Sequence, residues 1–256
     1  MPQLSQSSQK IRPKVVAAIP CFNTEYFIGD VVSTAKNYVD HVIVIDDGSH
    51  DGTSGIAKAA GALVIRHEVN RGVGEATKSC FEAARANAAD ILITLDGDGQ
   101  HNPDEIPQIL APIVKGEADL VIGSRFLGDS SSMPKYRKFG IDTITWLFNF
   151  GSKLKLSDTQ SCFRAYGKQA LDSFGITERG FGFSVQLLIQ AKQRGLIITE
   201  APISCIYHQS SHSLNPVVHG LGVALTVIKL RLKNGWLGWK KKGEPTQNLS
   251  NNTCVE

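Results

Sequence analysis

The sequence predicts an α/β fold with a mostly parallel, Rossmann-like sheet flanked by helices and followed by a C-terminal amphipathic helix. Short apolar segments alternate with segments of mixed polarity from residue 15 to residue 125. Such alternation is typical of parallel βαβ units with right-handed crossovers. Polar clusters follow several apolar segments, at the points where parallel strands would end at one edge of a sheet. The 256 residues, 42% of them hydrophobic, are enough for one large domain.

Five strands and four helices are predicted in the first half of the chain. The strands are the apolar runs 15–19, which Pro20 ends, 41–45, 62–66, 91–95 and 118–122. The helices lie at about 26–39, at 54–60 with Asp51 or Thr53 as cap, from Asn70 to about residue 88, and from Asn102 onward. This order gives one βαβ unit after another.

The pattern is less regular after Arg125. Helices are predicted at 141–150, 183–194 and 217–233, a polar loop at 157–164, and one or two strands at 197–207. The last helix has an apolar face made of Leu221, Leu225, Ile228 and Leu232, spaced four, three and four residues apart. We therefore predict a disordered tail at 1–12, a domain at 13–215 with halves 13–125 and 126–215, an amphipathic basic-aromatic segment at 216–242, and a disordered tail at 243–256.

Composition excludes several classes of protein. A net charge of +3 is too small to indicate a nucleic-acid partner. Five cysteines, an odd number without Cys-x-x-Cys spacing, favour a reduced compartment over a disulfide frame or a zinc site. The Gln- and Ser-rich stretch 3–9 is not a signal peptide, and no uncharged apolar run reaches the ~18 residues of a membrane-spanning helix. We predict a cytoplasmic protein.

The C-terminal segment predicts contact with a membrane surface. Trp236 and Trp239 stand beside Lys240, Lys241 and Lys242, and tryptophan next to lysine is typical of an interfacial anchor. The alternative is a terminal helix docked on the domain with a solvated basic tail. We favour the membrane because that alternative leaves the two tryptophans without a function. The protein is then expected to be peripheral on the cytoplasmic face.

The strand at 91–95 runs into Asp96-Gly97-Asp98-Gly99-Gln100-His101. The two aspartates are one residue apart, so on an extended chain their side chains point the same way. We expect the glycines to leave room for a ligand. Two carboxylates and an amide oxygen form an all-oxygen surface that suits Mg or Mn. The alternative is an acidic turn without a ligand.

Three predicted strand ends carry unusual polar groups. They are Asp46 with Asp47, the Asp96–Gln100 turn, and Arg125. In open α/β sheets, ligands bind beyond the carboxyl ends of the strands. Each cluster alone has a structural explanation. Asp46 and Asp47 could cap the loop and helix that follow them, and Arg125 could form an ion pair with Asp119 or another acid. Their convergence on one rim predicts a ligand site.

The motifs together resemble family-two glycosyltransferases of the GT-A fold. The resemblance is strongest to the branch that makes polyprenyl- or dolichyl-phosphate sugars, and it extends from about residue 15 to residue 207. The motifs are Ile19-Pro20-Cys21-Phe22-Asn23, Val44-Ile45-Asp46-Asp47-Gly48-Ser49-His50-Asp51-Gly52-Thr53, Asn70-Arg71-Gly72-Val73-Gly74, Leu95-Asp96-Gly97-Asp98-Gly99-Gln100-His101, Gly123-Ser124-Arg125 and Ser161-Cys162-Phe163-Arg164. Cys162 stands where this branch usually has glycine. The His208–Ser213 stretch replaces a more usual Arg-x-x-Gly-x-Ser.

The resemblance implies a donor site for a nucleotide sugar, a UDP- or GDP-hexose. Its expected residues are Pro20, Phe22, Glu25, Asp46, Asp47, Arg71 and Asp96. Thr24 displaces Glu25 by one position from the usual pattern. Asp98 and Gln100 are expected to bind the metal that bridges the donor diphosphate, with Asp96 alongside. The acceptor phosphate is expected at Arg125, Ser161 and Arg164. Asp98, Arg125 and Arg164 are then the predicted catalytic residues.

Chemistry favours a lipid phosphate as the acceptor. A hydroxyl acceptor requires a general base, whereas a phosphate with a second pKa of about 6 is already anionic at pH 7. Arginine forks clamp phosphates. One direct displacement would invert the anomeric centre. Two alternatives stay open: a saccharide or protein hydroxyl acceptor with Asp158 as base, and a non-catalytic nucleotide-binding scaffold that recruits partners to membranes.

Overall fold

The computed structural model describes residues 12–128, 133–151, 154–206, 222, 224–229 and 232. Its strands are β1 Val15–Cys21, β2 His41–Asp46, β3 Leu63–Arg66, β4 Ile91–Thr94, β5 Leu120–Ser124, β6 Arg164–Tyr166 and β7 Ile198–Pro202. Its α-helices are α1 Ile28–Ala35, α2 Thr53–Ala59, α3 Val73–Ala86, α4 Ile106–Val114, α5 Lys135–Asn149, α6 Lys168–Ser173 and α7 Gly182–Gln193, with a 3₁₀ turn at Pro103–Glu105 before α4.

The seven strands form one sheet in the order β3-β2-β1-β4-β6-β5-β7. Every pairing is parallel except the two that β6 makes with β4 and β5. The predicted α/β class with a mostly parallel sheet is therefore confirmed. The sheet contains strands from both 13–125 and 126–215, and the division between these halves stays a prediction.

The central strands are buried on both faces, because helices cover the sheet on two sides. Successive residues of β1 enter different core clusters: Val16 and Ala18 pack with residues of α3, α6 and α7, whereas Ala17 and Ile19 pack with residues of α1 and α4. This alternation is the period of a β-strand. It explains why the strands read as continuous apolar runs in the sequence.

Several predicted boundaries were wrong for identifiable reasons. β1 continues through Pro20 to Cys21; its pairing with β4 ends at Ala18, so at Pro20 only β2 is its neighbour. The 26–39 helix shrinks to α1, and α5 begins six residues before the predicted 141. β6 and α6 were not predicted, because three and six residues are too short to show a clear period. Asp51 does bond the first turn of α2, through the Thr53 N–H at 3.1 Å.

The C-terminal segment lies mostly outside the described residues, as do Trp236–Lys242 and both tails except Arg12. Positions 222, 224–229 and 232 are helical. Val227 is buried there, whereas Leu225 and Leu232 of the predicted apolar face are exposed. Within the described part of the chain, no helix has the length and apolarity to cross a membrane.

Candidate active site

The carboxyl ends of β1, β2, β4 and β5 lie on one rim of the sheet, because these strands are parallel members of it. The order reverses at β1, with β2 and β3 on one side and β4 on the other. A crevice at such a switch point is the usual ligand site of an open α/β sheet. β6 runs the other way, so its first residue, Arg164, comes to the same rim beside Thr94 and Ile122. The predicted convergence of the strand ends is thus present.

The Asp96–Gln100 turn follows β4 directly. Asp98 Oδ1 accepts the Gln100 N–H at 3.0 Å, and Oδ2 accepts the Gln100 side-chain N–H at 2.6 Å. The two predicted metal ligands are therefore adjacent. Gly97 has another function than the one expected: a Cβ there would lie 2.9 Å from the Cys21 Cβ and 3.1 Å from Ile28. Its lack of a side chain lets the turn pack on β1 and α1, rather than opening space for a ligand.

Both aspartates of the turn resist ionisation. About a third of the Asp96 side chain (34%) is open to solvent. The protein nevertheless surrounds the carboxyl group closely enough that burial raises its pKa to about 6. Burial, and then the charge of Asp96, raise the pKa of Asp98. A divalent cation would relieve this repulsion, and the oxygens of Asp96, Asp98 and Gln100 fit Mg or Mn.

The turn supplies only part of a cation's ligand shell. Within the described ranges, no group of three or more His, Cys, Asp and Glu side chains is placed to hold a metal. Mg sites commonly combine one or two carboxylates with waters and substrate phosphates. The donor set therefore fits a metal that arrives with a phosphate-bearing ligand.

The buried His101 side chain holds the Asp96–Gln100 turn in place, a role that the sequence did not indicate. Its Nδ1 accepts the Asp96 N–H at 3.2 Å, and its ring lies 5.4 Å from the Phe163 ring. Burial lowers the pKa of His101 to about 4, so the ring is neutral at pH 7. A neutral ring with a free lone pair on Nδ1 is what the accepted N–H requires.

Asp46 and Asp47 are buried and hold the loops of the rim. Asp46 accepts the Ser49 N–H at 2.8 Å and a hydrogen bond from the Ser54 hydroxyl. Asp47 accepts the Arg71 and Gly72 N–H groups at 3.0 and 2.8 Å, and the His67 Nδ1–H at 2.6 Å. Both carboxylates are thus buried and already accept hydrogen bonds from the loops that follow β2 and β3. Their predicted role in holding the donor's nucleoside stays a prediction.

Glu25 links the loop after β1 to the loop after β2 through hydrogen bonds. Its Oε2 accepts the Gly52 N–H at 2.8 Å, and its own N–H donates to Asp51 at 3.2 Å. Pro20 is half-buried on β1, whereas Phe22 is exposed and meets the His50 ring edge-on at 6.2 Å. The Arg71 side chain is exposed. Of the predicted donor residues, Phe22 and Arg71 thus offer side chains to a ligand, and Glu25 positions a loop.

Arg125 lies beside the acidic turn and is paired with Asp158. Its Nε and Nη2 donate to the two Asp158 oxygens at 2.6 and 2.9 Å. Burial alone would raise the pKa of Asp158, but the Arg125 charge and several hydrogen bonds outweigh it and lower the pKa. The Arg125 charge also reaches Asp96, where it opposes the effect of burial. Asp119, the partner considered from sequence, instead accepts the Ile197 N–H at 2.8 Å.

Arg164 and Ser161 are buried, so the expected acceptor-phosphate role does not fit their position. The Arg164 guanidinium donates to the carbonyls of Ser161, Thr159 and Ser184 at 2.8, 2.9 and 3.1 Å, and its side chain is 1% exposed. The Ser161 N–H donates to Asp158 Oδ1 at 3.1 Å. Arg164 therefore braces the turn that carries Asp158. A polar loop with one arginine looks the same in sequence whether the arginine faces a ligand or the interior.

Cys162 lies against Asp96 at the base of the site. Its thiol donates to the Gln160 carbonyl at 4.0 Å, and its carbonyl accepts the Thr94 hydroxyl at 2.7 Å. Burial raises the pKa of Cys162, so the thiol stays protonated at neutral pH. The departure from glycine at this position thus places a buried, protonated thiol near Asp96, where it lowers the pKa of that carboxyl.

Comparison with known proteins identifies the family of the chain. The model of the family "Glycosyl transferase family 2" matches residues 16–181. The chain is 33% identical over 215 residues to the UDP-N-acetylglucosamine–dolichyl-phosphate N-acetylglucosaminyltransferase of Methanococcus voltae, covering 75% of this chain and 86% of the relative. It is 30% identical over 214 residues to the dolichyl-phosphate hexose transferase of Haloferax volcanii, covering 83% of this chain and 91% of the relative. The resemblance to the polyprenyl-phosphate sugar branch is confirmed.

Solved structures share the fold. Glucosyl-3-phosphoglycerate synthase from Mycobacterium tuberculosis, in complex with Mn²⁺, UDP and glucosyl-3-phosphoglycerate, superposes with a TM-score of 0.69 at 22% identity, covering 85% of this chain and 79% of that one. At this identity the likeness concerns the fold alone, and it confirms the GT-A class. The family match covers more than half of the chain, and the acidic turn stands where the motifs placed it. The chain belongs to glycosyl transferase family 2 and is a glycosyltransferase.

Proposed function

We propose that this protein transfers a hexose from a UDP- or GDP-sugar to a polyprenyl (dolichyl-type) phosphate, with inversion and with Mg or Mn, at the cytoplasmic surface of a membrane. The observation that carries the acceptor class is the state of Asp158. It is unexposed, its pKa is lowered, and both of its oxygens face Arg125. A carboxylate so engaged is a weak general base, so an acceptor that arrives already ionised suits the site best.

The transfer exchanges one bond for another. The bond between the anomeric carbon and the donor diphosphate breaks, and a bond from that carbon to a phosphate oxygen of the acceptor forms on the opposite face. No proton has to leave the acceptor, because its phosphate is ionised at neutral pH. A divalent cation, when bound, would neutralise the charge that develops on the leaving diphosphate.

The residues of this chain divide the remaining work. Asp98 and Gln100, with Asp96, would hold the cation. Arg125 contributes a positive charge beside the turn, where two anions have to approach each other. Its planar fork is already oriented by Asp158. Phe22 and Arg71 flank the nucleotide, on loops that Asp46, Asp47 and Glu25 hold in place.

The names of the relatives support the acceptor class, and one of them also names a UDP-sugar as donor. A family-two transferase leaves little room for the non-catalytic scaffold. The hydroxyl-acceptor alternative requires a free base, and Asp158 does not have that character. Membrane contact through residues 216–242 would bring the protein to its lipid.

The test is direct. The protein is incubated with Mn²⁺ or Mg²⁺, radiolabelled UDP- and GDP-hexoses and polyprenyl phosphate, and the lipid is extracted. Label should enter the organic phase with one donor, only with the divalent ion, and not with Asp98→Ala. If no common donor delivers label to the lipid, while saccharide acceptors are labelled, the lipid-phosphate proposal is wrong.

A further inference from the structure

Helix α5 exposes large aromatic side chains. Phe139, Trp146 and Tyr136 are 74%, 61% and 54% exposed. Phe139 and Trp146 are seven residues apart, so they lie on the same face, about 10 Å apart along the axis. The opposite face is already used: Ile144 and Phe148 are buried in the core. The outward face therefore presents large aromatic rings in addition to the packed face, with the exposed Asp142 and Thr143 between Phe139 and Trp146.

An aromatic patch of this kind has a cost in water and usually marks a binding surface. Surface helices normally turn polar residues outward. Trp146 also packs against Phe150, with ring centroids 5.7 Å apart. Phe150, which is also exposed, thus extends the aromatic surface beyond the end of α5.

The charges of α5 indicate what kind of partner fits. Its first turn contains Lys135, Arg137 and Lys138 and no acid, the only acid of the helix is Asp142 in the second turn, and no side chain caps its N-terminus. Cations at this end oppose the helix dipole, so they do not stabilise the helix itself. An external anion beside the aromatic patch would explain them. Lysines flanking exposed aromatic rings are the arrangement of helices that lie in the headgroup region of anionic membranes.

The inner side of α5 is joined to the candidate active site. The Thr145 hydroxyl hydrogen-bonds the Thr159 hydroxyl at 3.0 Å, next to Asp158. Lys138 lies over the Phe126 ring at 5.9 Å, directly after Arg125. A surface that binds the outer side of α5 would therefore lie close to the acceptor end of the rim.

We propose that the Tyr136, Phe139 and Trp146 face of α5 docks on an anionic lipid bilayer, with Lys135 and Lys138 at the level of the headgroup phosphates. The folded domain then has its own membrane contact, separate from residues 216–242. The biological purpose, presenting a lipid phosphate to Arg125, rests on the proposed function, whereas the docking itself does not.

Binding to vesicles tests the docking. The full chain is sedimented with phosphatidylglycerol–phosphatidylcholine vesicles that contain no polyprenyl phosphate. Phe139→Ser/Trp146→Ser should weaken binding at least about tenfold, and Lys135→Gln/Lys138→Gln about fivefold per lysine, an effect that is lost in high salt. Leu63→Ser and Lys58→Gln are matched controls, since both residues are exposed and lie on β3 and α2. Unchanged binding by the Phe139/Trp146 variant overturns the proposal.

Tryptophan fluorescence gives a second, site-specific readout. The chain has 3 tryptophans, so Trp236→Phe/Trp239→Phe leaves Trp146 as the only one. Its emission should shift to the blue with anionic vesicles and be quenched by lipids brominated near the headgroup. An emission spectrum that vesicles leave unchanged contradicts insertion of this face.

The two proposals fail separately. Vesicle binding through α5 without transfer to polyprenyl phosphate would leave the docking intact and reject the proposed function. Transfer to polyprenyl phosphate, together with vesicle binding that does not depend on α5, would support the proposed function and reject the docking. If the aromatic patch instead joins two copies of the chain, the wild-type protein will be dimeric without lipid and Phe139→Ser/Trp146→Ser monomeric, which also overturns the docking.

Discussion

The Arg125 guanidinium and the Asp158 carboxylate form a forked ion pair, with Nε 2.6 Å from Oδ2 and Nη2 2.9 Å from Oδ1. Asp158 has no exposed surface, and Glu200 holds its turn by accepting the Ser157 and Asp158 N–H groups at 2.8 and 2.9 Å. Three separate segments are thus fixed to one another: the end of β5, the turn before β6, and β7. The orientation of Arg125 toward the acidic turn is a property of this scaffold.

Replacing Asp158 by asparagine should destabilise the protein by about 3–5 kcal/mol at pH 7.5, because it leaves a nearly buried guanidinium without its carboxylate. Urea unfolding measures the change. Asp172→Asn is the matched control: Asp172 pairs with Lys168 at 3.1 Å on the surface, where loss of a pair costs about 0.5 kcal/mol. Equal stability of Asp158→Asn and wild type would show that the fork contributes nothing.

The same pair has a pH signature. The pKa of Asp158 is lower in the folded protein than in the unfolded chain. Its stabilising effect is therefore complete above the unfolded value near 4 and is lost as the pH falls through the folded value. The difference in unfolding free energy between wild type and Asp158→Asn should stay constant from pH 8 to about pH 5 and shrink in more acidic buffers. A difference that shrinks between pH 8 and pH 6 would contradict this assignment.

Asp96 should behave in the opposite way. Its pKa is raised to about 6, so its ionised form destabilises the metal-free fold above that pH. In EDTA at pH 7.5, Asp96→Asn should have a higher melting temperature than wild type, and the advantage should disappear as the pH falls from above 6 to about 4. Mn²⁺ with UDP should raise the melting temperature of wild type more than that of Asp96→Asn. A less stable Asp96→Asn in EDTA would mean that the cleft favours the charge.

The polar rim was predictable from sequence because it depends on strand order, which alternating apolar segments reveal. The roles of individual side chains were less accessible. Arg164 was expected at a phosphate and is buried among carbonyls; Gly97 was expected to face a ligand and faces Cys21. A period shows whether a residue lies on a strand or a helix, but the antiparallel insertion of β6, three residues long, decides where Arg164 points. Contacts of that kind join distant segments and leave no local pattern.

Asp98→Ala should reduce transfer by about 10²–10³ without destabilising the protein. The expected loss follows from removal of a predicted metal ligand, while the burial and the Asp96 charge that raise the pKa of Asp98 offset the hydrogen bonds that its carboxylate accepts from Gln100. Initial rates and a thermal melt in EDTA measure the two effects. Asp104→Asn, a nearby exposed acid, serves as control. A rate within threefold of wild type would remove Asp98 from the metal site.

Arg164→Lys distinguishes a bracing arginine from one that binds phosphate. A lysine has one nitrogen and cannot reach carbonyls of Ser161, Thr159 and Ser184 together. Each buried acceptor that loses its donor costs about 1–3 kcal/mol, so the unfolding free energy should fall by at least about 2 kcal/mol. The KM for the lipid acceptor should stay near the wild-type value. A raised acceptor KM with normal stability would return Arg164 to the phosphate site.

His67 positions the Arg71 loop through Asp47. Because an ionised carboxylate only accepts, His67 Nδ1 donates to Asp47 at 2.6 Å, and Nε2 is left to meet the Ser79 hydroxyl at 2.9 Å. Asp47 in turn accepts the N–H groups of Arg71 and Gly72. His67→Ala removes one buried donor from this carboxylate, which is worth about 1–1.5 kcal/mol. We expect the KM for the nucleotide sugar to rise about five- to tenfold with kcat changed less than twofold.

His67→Gln, whose amide can still donate to Asp47, should recover part of the affinity, and His41→Ala on an exposed site should have no effect. Steady-state kinetics at saturating acceptor separate KM from kcat, and a thermal melt monitors stability. Were His67 only a core residue, the melting temperature would fall in His67→Ala while the KM for the donor stayed constant, because the loop over the donor would keep its shape whenever the protein is folded. A rise in KM that glutamine reverses requires the connection from His67 through Asp47 to the loop.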